Sequence, residues 1–185
     1  MYLCNPNLEN VLQMDSLKAY CIPLRGMKDG LHQFEFELDG SFFRHFESEL
    51  GDKLKMEVAL ELNKRPDLSE LSIDLAGSLQ EVCDRCLSTI HIPIKSLYKV
   101  ILKNGTEESD DPDLIYIHPE ANELQLAPLI YDFVVLSLPL SNVLEGCQEM
   151  QPKPCDELVL QRLESLNEIS ENPIWDELKK LKETD

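Results

Sequence analysis

Strict alternation of apolar and polar residues is the feature that most constrains the fold of this chain. In residues 53–62, apolar side chains occupy every second position, and lysines and glutamates occupy most of the others. Successive side chains of a β-strand point to opposite faces, so this pattern predicts a strand with one buried face. The same alternation predicts strands at residues 34–38, 71–79 and 90–102.

The last two of these strands are predicted to pair as an antiparallel hairpin. With a two-residue turn at Asp84-Arg85, Leu75 lies opposite Ile94, and apolar residues meet apolar residues along most of the pair. Register demands such matching where one face is buried. Near the turn the alternation of apolar and polar residues is broken, which indicates a bulge or an overhanging tip.

Helical patterns follow towards the C-terminus. Residues 128–138 are almost all apolar; a buried helix with Pro128 in its first turn is favoured, although the pattern also fits a strand. Asp156 is predicted to cap a helix that reaches about Ser170, and residues 174–181 form a short amphipathic tail. Residues 41–46 predict a short helical turn, and residues 114–117 a short strand. The predicted class is α+β, with a mainly antiparallel sheet, open or barrel-like, and C-terminal helices.

The charge balance excludes some function classes. The chain has 185 residues, 17 Lys and Arg against 35 Asp and Glu, and a net charge of -18. Such a surface repels phosphates, which argues against a general binder of nucleic acids or membrane surfaces unless basic residues are segregated. No apolar run approaches the roughly 18 residues of a membrane span, and no secretory signal is visible. We therefore expect a cytoplasmic protein.

Cysteine spacing provides the strongest local motif. The six cysteines are not expected to form disulfides in a reducing compartment, and Cys4 and Cys21 are predicted to be free buried thiols. Cys83-Asp84-Arg85-Cys86 has the spacing at which two thiolates grip one metal ion, and Cys147 and Cys155 can complete a tetrahedral zinc site.

The alternative for these four residues is a group of packed, reduced thiols. Two features weaken the zinc interpretation. Cys147 and Cys155 are more widely spaced than the usual ligand pair, and no glycine follows Cys86. A thioredoxin-like redox role fits less well, because that chemistry needs the first cysteine at a helix N-terminus, whereas this pair joins two strands.

A run without acidic residues extends from Arg85 to Asn104. We call its basic side chains the basic stripe: Arg85, His91, Lys95, Lys99 and Lys103. The last four are spaced by four residues, so they share one face of a strand. The stripe is interpreted either as an ordinary solvated face balanced by neighbours such as Asp74, or as a surface contacting phosphates or an acidic partner.

Catalytic motifs are not found in the sequence. It contains no glycine-rich phosphate loop, nucleophile elbow or pair of histidines at helical spacing, and its four histidines are scattered. We therefore predict a non-enzyme with no catalytic residues and no small-molecule substrate.

Several motifs, taken in order, resemble those of the YceD family of large ribosomal RNA subunit accumulation proteins. They are residues 22–30, the strand at 34–36, residues 77–82 leading into Cys83-Asp84-Arg85-Cys86-Leu87, residues 136–139, and Asn172-Pro173-Ile174-Trp175. The resemblance implies one mostly β domain over residues 1–155. Helices over 156–185 then pack on it or act as a tail, within a single domain overall.

The resemblance also implies a role in the accumulation of 23S ribosomal RNA and hence in large-subunit biogenesis. Two hypotheses follow. In the first, the protein binds ribosomal RNA through the basic stripe, with Arg85, Lys95, Lys99 and Lys103 as contacts. In the second, it is an acidic interaction module that shields or delivers a basic ribosomal protein. Ribosomal RNA, large-subunit proteins and assembly factors are the expected partners, and a zinc ion is the one cofactor considered.

Overall fold

The computed structural model describes residues 17–107, 109–147 and 149–167. The predictions for Cys4, for the helix beyond residue 167 and for the amphipathic tail lie outside these residues. The described part contains seven strands and three α-helices, besides short 3₁₀ turns at Lys18–Tyr20 and Glu49–Asp52. The strands are β1 (Cys21–Pro23), β2 (Gly30–Leu38), β3 (Leu54–Lys64), β4 (Leu68–Val82), β5 (Thr89–Asn104), β6 (Leu114–Ile117) and β7 (Glu123–Gln125). The helices are α1 (Gly40–Arg44), α2 (Ala127–Ser137) and α3 (Glu157–Asn167).

Five strands form one sheet in the order β2-β3-β4-β5-β6. Antiparallel pairing places Val58 of β3 between Phe36 of β2 and Leu75 of β4. The last pair, β5 with β6, is parallel, with Ile101 opposite Leu114. These five strands form an open sheet, and β1 pairs with β7 in a separate two-stranded sheet. Barrel-like closure is not observed among the described strands, and the α+β class with a mainly antiparallel sheet is confirmed.

The alternating residues of the sheet divide into a core face and an outer face. The buried side chains of β3, β4 and β5 include Leu60, Ile73 and Ile94, and they belong to one hydrophobic cluster with residues of α1 and α2. Leu75 and Ile94 are both in that cluster, as the predicted hairpin requires. Since the core, α1 and α2 occupy one face, the charged residues of the strands are directed to the other.

Each helix begins where its sequence predicts. The Asp39 carboxylate accepts hydrogen bonds from the amides of Ser41 and Phe42 and caps α1. The hydrogen bond from the Ser41 hydroxyl is the main reason why the pKa of Asp39 is lowered; the two amides add to this effect, and burial opposes it. Pro128 lies in the first turn of α2, which confirms a helix there rather than a strand. The Asp156 carboxylate accepts from the amides of Leu158 and Val159 at 2.9 and 3.3 Å and caps α3, as predicted.

The described chain divides into two compact units. Of the described residues, those up to 80 and those within 91–140 belong to the first unit, and those within 81–90 and from 141 onward belong to the second. The first unit contains the hydrophobic cluster and nearly all of the sheet. The second contains the hairpin tip and the segment that leads into α3. The proposed boundary between residues 155 and 156 stays a prediction. Among the described residues, no helix is long and apolar enough to cross a membrane.

Candidate metal centre and charged surface

The four cysteines predicted as metal ligands all lie in the second unit. Cys83, Cys86 and Cys147 are 2%, 2% and 6% exposed, whereas Cys155 is half-buried, and all four are free thiols. Cys21, predicted to be free and buried, is a free, half-buried thiol of the first unit that donates to Gln125 Oε1 at 3.3 Å. Four of the five described cysteines therefore belong to one small region.

The hairpin tip is a longer loop than the two-residue turn predicted at Asp84-Arg85. β4 ends at Val82 and β5 begins at Thr89, and the Cys83 amide donates to the Ser88 carbonyl at 2.8 Å. The Leu87 amide donates to the Cys83 carbonyl at 2.9 Å, and Leu87 has a φ of 62°. Glycine usually supplies this left-handed conformation, but here Leu87 adopts it. The missing glycine after Cys86 therefore does not prevent the chain from reversing. The loop folds back at Leu87 and buries both cysteines.

Hydrogen bonds converge on the sulfur of Cys86. Burial opposes ionisation of this thiol, but the amides of Ser88 and Asp156 donate to its sulfur, as do the side chains of Ser88 and Cys83. Together these bonds lower the pKa of Cys86 to about 7. Because Asp156 follows Cys155 directly, its bond to Cys86 holds the start of α3 against the hairpin tip.

Cys155 links the two cysteine pairs. A hydrogen bond with the Cys147 thiol is the largest influence on the pKa of Cys155. This pKa is raised further by burial, by the charges of Cys147 and Cys86, and by a hydrogen bond with Cys86. These influences raise the pKa of Cys155 to about 12. The sulfur contacts therefore run without a break from Cys83 to Cys86, then to Cys155 and Cys147.

A clasp of polar groups holds the segment before Cys147 against the hairpin tip. The Asp84 amide donates to the Asn142 carbonyl at 3.0 Å, and the Asn142 amide donates back to Asp84 Oδ2 at 2.7 Å. The Ser141 hydroxyl lies 3.5 Å from the same oxygen. Gly146 then adopts a φ of 67°, which turns the chain immediately before Cys147. Sequence reasoning did not identify Asp84 and Asn142 as positioning residues, because their pairing is visible only in the fold.

Zinc binding by these cysteines stays a prediction. Within residues 17–107, 109–147 and 149–167, no group of three or more His, Cys, Asp or Glu side chains is already placed to hold a metal ion. The structure brings the four predicted residues into a chain of thiol contacts, which is less than a closed tetrahedron. It fits packed, reduced thiols as well as a site that tightens around an ion.

The basic stripe is divided between the units. Arg85 is exposed in the second unit, whereas His91, Lys95, Lys99 and Lys103 are exposed along β5 in the first. Lys99 forms an ion pair with Glu70 of β4 at 3.3 Å, and Lys103 Nζ lies 5.5 Å from the centre of the Tyr116 ring. The four β5 residues share the outer face of the sheet, as their spacing predicts, and at least Lys99 is balanced by a neighbouring carboxylate.

Carboxylates cover the same face on the neighbouring strands. We call this set the acidic face: Glu35, Glu37, Glu57, Glu61, Glu70 and Asp74. The register places Glu37 directly opposite Glu57, and it places Glu35 and Asp74 on either side of Ala59. Like charges opposite each other on paired strands are destabilising. The outer face of the sheet thus carries mainly carboxylates on β2, β3 and β4, where Lys55 of β3 also lies, and basic side chains on β5. The individual strand patterns did not predict this division.

Comparison with known proteins identifies one family. No curated protein and no solved structure matches the chain. The model of the family described as large ribosomal RNA subunit accumulation protein YceD matches residues 71–182, more than half of the chain. This region includes β5 and all four clustered cysteines, but not the resembling motifs at residues 22–36. The chain therefore belongs to the YceD family, whose name records a role in the accumulation of large-subunit ribosomal RNA.

Proposed function

We propose that the protein is a non-enzymatic, cytoplasmic factor required for the accumulation of 23S ribosomal RNA during large-subunit biogenesis. Family membership supports the ribosomal part of this proposal. The division of charge on the outer face of the sheet supports a binding role, since an assembling subunit offers both RNA phosphates and basic proteins. Complementary charge of this kind steers association and selects partners.

The proposed RNA contacts are Lys95, Lys99 and Lys103 of β5, with Arg85 as a further contact from the second unit. At about 3.3 Å per residue, the three lysines span roughly 26 Å of strand. The Lys99–Glu70 ion pair does not prevent this role, because both side chains are about half exposed or more, at 64% and 46%. Exposed ion pairs contribute only about 0–1 kcal/mol, so a phosphate can replace the carboxylate. The same side chains would suit an acidic patch on an assembly partner.

A second candidate function is that of an acidic module that shields or delivers a basic ribosomal protein. The acidic face favours it, because Glu37 and Glu57 lie directly opposite each other on paired strands. A basic partner would relieve that repulsion on binding. The net charge of -18 acts in the same direction over a longer range.

A charge-reversal experiment tests the RNA contacts. We expect the Lys95→Glu/Lys99→Glu variant to bind 23S ribosomal RNA fragments more weakly and to lose about 0.7–0.9 units of log-salt slope for each phosphate contact removed. Its stability should change by no more than about 1 kcal/mol per exposed residue. Salt titrations of binding to purified RNA fragments measure the slope directly.

The matched control for this experiment is Lys28→Glu/Lys55→Glu. It changes the net charge by the same amount at two other exposed lysines of the first unit. We expect this control to change the affinity for RNA through the overall electrostatic field of the protein. It should keep more of the log-salt slope than Lys95→Glu/Lys99→Glu does. Equal slopes for both variants and the unchanged protein would contradict the contact role of β5.

The acidic module is tested by neutralising part of the acidic face. Glu35→Gln/Glu57→Gln should slow association with basic large-subunit ribosomal proteins at low ionic strength by about tenfold or more, because steering by the face is reduced. Glu107→Gln/Asp110→Asn, which removes two charges from an exposed loop, is the control. Association rates measured by stopped flow distinguish them; equal rates would remove the second candidate.

A further inference from the structure

We propose that β2 binds an extended basic segment of a partner protein as an additional strand, along the edge that β2 does not share with β3. β2 is the first strand of the five-stranded sheet, and among the described strands none pairs with its other edge. Extended segments bind such edges through main-chain hydrogen bonds, and their alternate side chains provide specificity. The basic chemistry of the partner rests on the second candidate function, whereas the open edge does not depend on it.

The edge of β2 lacks the features that most often prevent strand addition. β2 has nine residues, whereas β6 at the opposite edge of the sheet has four. The pairing of β2 with β3 continues without a bulge from Gly30 to Leu38, and this stretch contains neither lysine nor proline. Short strands, bulges, lysines and prolines are the usual means of blocking an edge. β2 therefore presents a long and regular edge to a partner.

The pairing of β3 with both neighbours determines which backbone groups of β2 point outward. At the start of the β3–β4 pairing, the Gln80 amide donates to the Lys53 carbonyl at 2.7 Å. Successive residues of a strand direct their backbone groups to opposite sides, so the odd-numbered residues of β3 bond to β4 and the even-numbered residues bond to β2. The β2 partners of these even-numbered residues are also even-numbered, from Gly30 to Leu38. The odd-numbered residues of β2 therefore direct their backbone groups to the open edge.

A hydrogen bond from Tyr20 supports this assignment independently. Tyr20 lies in the 3₁₀ turn before β1, and its hydroxyl donates to the Glu37 carbonyl at 3.1 Å. That carbonyl thus faces away from β3, as its odd number requires. The stretch that remains for a partner is residues 31–36, about 20 Å of strand. Within it, Leu31, Gln33 and Glu35 each direct one N–H and one C=O outward.

The side chains beside the edge suit a strand in which basic and apolar residues alternate. On the outer face, Glu35 and Glu37 are exposed and belong to the acidic face. They would lie beside every second side chain of the added strand. On the core face, Phe34 and Phe36 are half-buried and pack against the hydrophobic cluster. Apolar side chains of the added strand would cover the exposed parts of these two rings.

Charge argues against two other occupants of the edge. A second copy of this chain, paired edge to edge with the core faces on one side, would bring Glu35 and Glu37 of each copy close together. It would also join two chains of net charge -18. Residues 1–16 contain Glu9 and Asp15 and neither lysine nor arginine. A basic segment of another protein is the occupant that the acidic face attracts.

A proline at the open edge tests the proposal. Because the Gln33 amide points outward, Gln33→Pro removes a donor that the partner would use and leaves the bonds between Phe34 and β3 in place. Gln33→Ala is the matched control, since both variants lose the hydrogen bond from the Gln33 side chain to Glu61 at 3.2 Å. The probe is a fluorescent synthetic peptide as long as β2, in which lysine and valine alternate. A control peptide has the same residues in one lysine block and one valine block.

Binding is measured by fluorescence anisotropy. We expect the alternating peptide to bind Gln33→Ala about as tightly as the unchanged protein, and Gln33→Pro at least about tenfold more weakly, because a main-chain hydrogen bond is lost. The block peptide should bind all three proteins more weakly than the alternating peptide binds the unchanged protein. Equal affinity of Gln33→Pro and Gln33→Ala, or equal affinity for both peptides, would contradict strand addition.

Amide hydrogen exchange on the unchanged protein keeps the test independent of whether Gln33→Pro folds. The outward amides of Leu31, Gln33 and Glu35 should exchange rapidly in the free protein and slowly with the alternating peptide bound. Slow exchange in the free protein would mean that another segment of the chain, or a second copy at high concentration, already occupies the edge. Either result, or protection by the peptide only at other residues, would overturn the proposal.

Binding to basic large-subunit ribosomal proteins separates this inference from the second candidate function. If these proteins bind Gln33→Pro as tightly as Gln33→Ala, they use the acidic face without adding a strand, and only the present inference fails. If the alternating peptide adds to β2 but these proteins do not bind the unchanged protein, the candidate function fails and the strand-addition site stands.

Discussion

Replacing Phe42 by alanine should lower the free energy of unfolding by about 3–5 kcal/mol, the range found for buried phenylalanines. Phe42 is 1% exposed and lies at the centre of an aromatic cluster. The rings of Tyr20, Phe46 and Phe43 surround it with centroid distances of 4.8, 5.2 and 5.3 Å. Truncation removes the transfer free energy of the ring and leaves a cavity that these rigid neighbours cannot fill.

Urea unfolding followed by circular dichroism measures this loss. Leu136→Ala is the matched control, because it also shortens an apolar side chain but removes one that is 69% exposed on α2. The control should stay within about 0.5 kcal/mol of the unchanged protein. If Phe42→Ala cost no more than Leu136→Ala, the aromatic cluster would not be part of the core.

The sheet was predictable because its signal is local. Residues 53–62 alternate strictly, and the structure places β3 at Leu54–Lys64. Loops with Gly or Pro separate most of these runs, so the number and approximate positions of β2 to β5 follow from a period of two. Burial of one face then determines which residues meet in the core, as with Leu75 and Ile94.

Long-range pairings of short segments were not predictable. β1 and β7 have three residues each, and Cys21 pairs with Gln125 more than a hundred positions away. Three residues carry no measurable periodicity, so only the packed structure selects the partner. The parallel pairing of β5 with β6 is of the same kind, since four residues of β6 do not define a strand direction.

The candidate sites were predictable to different extents. The spacing of Cys83 and Cys86 is a local motif, whereas the approach of Cys147 and Cys155 depends on tertiary bonds such as that between Asp84 and Asn142. The exposure of the β5 lysines follows from the alternation of side chains between the two faces of a strand. The ion pair of Lys99 with Glu70, in contrast, depends on how β4 lies beside β5. Local chemistry is thus visible in the sequence, and the neighbours that modify it are not.

The acidic face depends on the close pairing of β3 with β4, and Gly77 lies opposite Met56 where that pairing is tightest. A Cβ atom at residue 77 would collide with the Lys55 carbonyl oxygen and the Met56 sulfur, and would come within 2.9 Å of Met56 Cα. Two of these three atoms belong to the backbone of β3, so no side-chain rotation can remove the clash. Gly77 is therefore required by close approach rather than by an unusual backbone angle.

Substitution of Gly77 by alanine should lower the free energy of unfolding by about 3 kcal/mol, the upper part of the usual range for overpacking. β3 and β4 must move apart, which lengthens the hydrogen bonds around Met56 and shifts Glu57 on the outer face. Ala76→Ser, which adds one atom to the neighbouring exposed position, should change stability by no more than about 0.5 kcal/mol. Thermal and urea unfolding measure both variants. A loss below about 1 kcal/mol for Gly77→Ala would mean that the strands separate easily, and that their close pairing does not hold the acidic face in place.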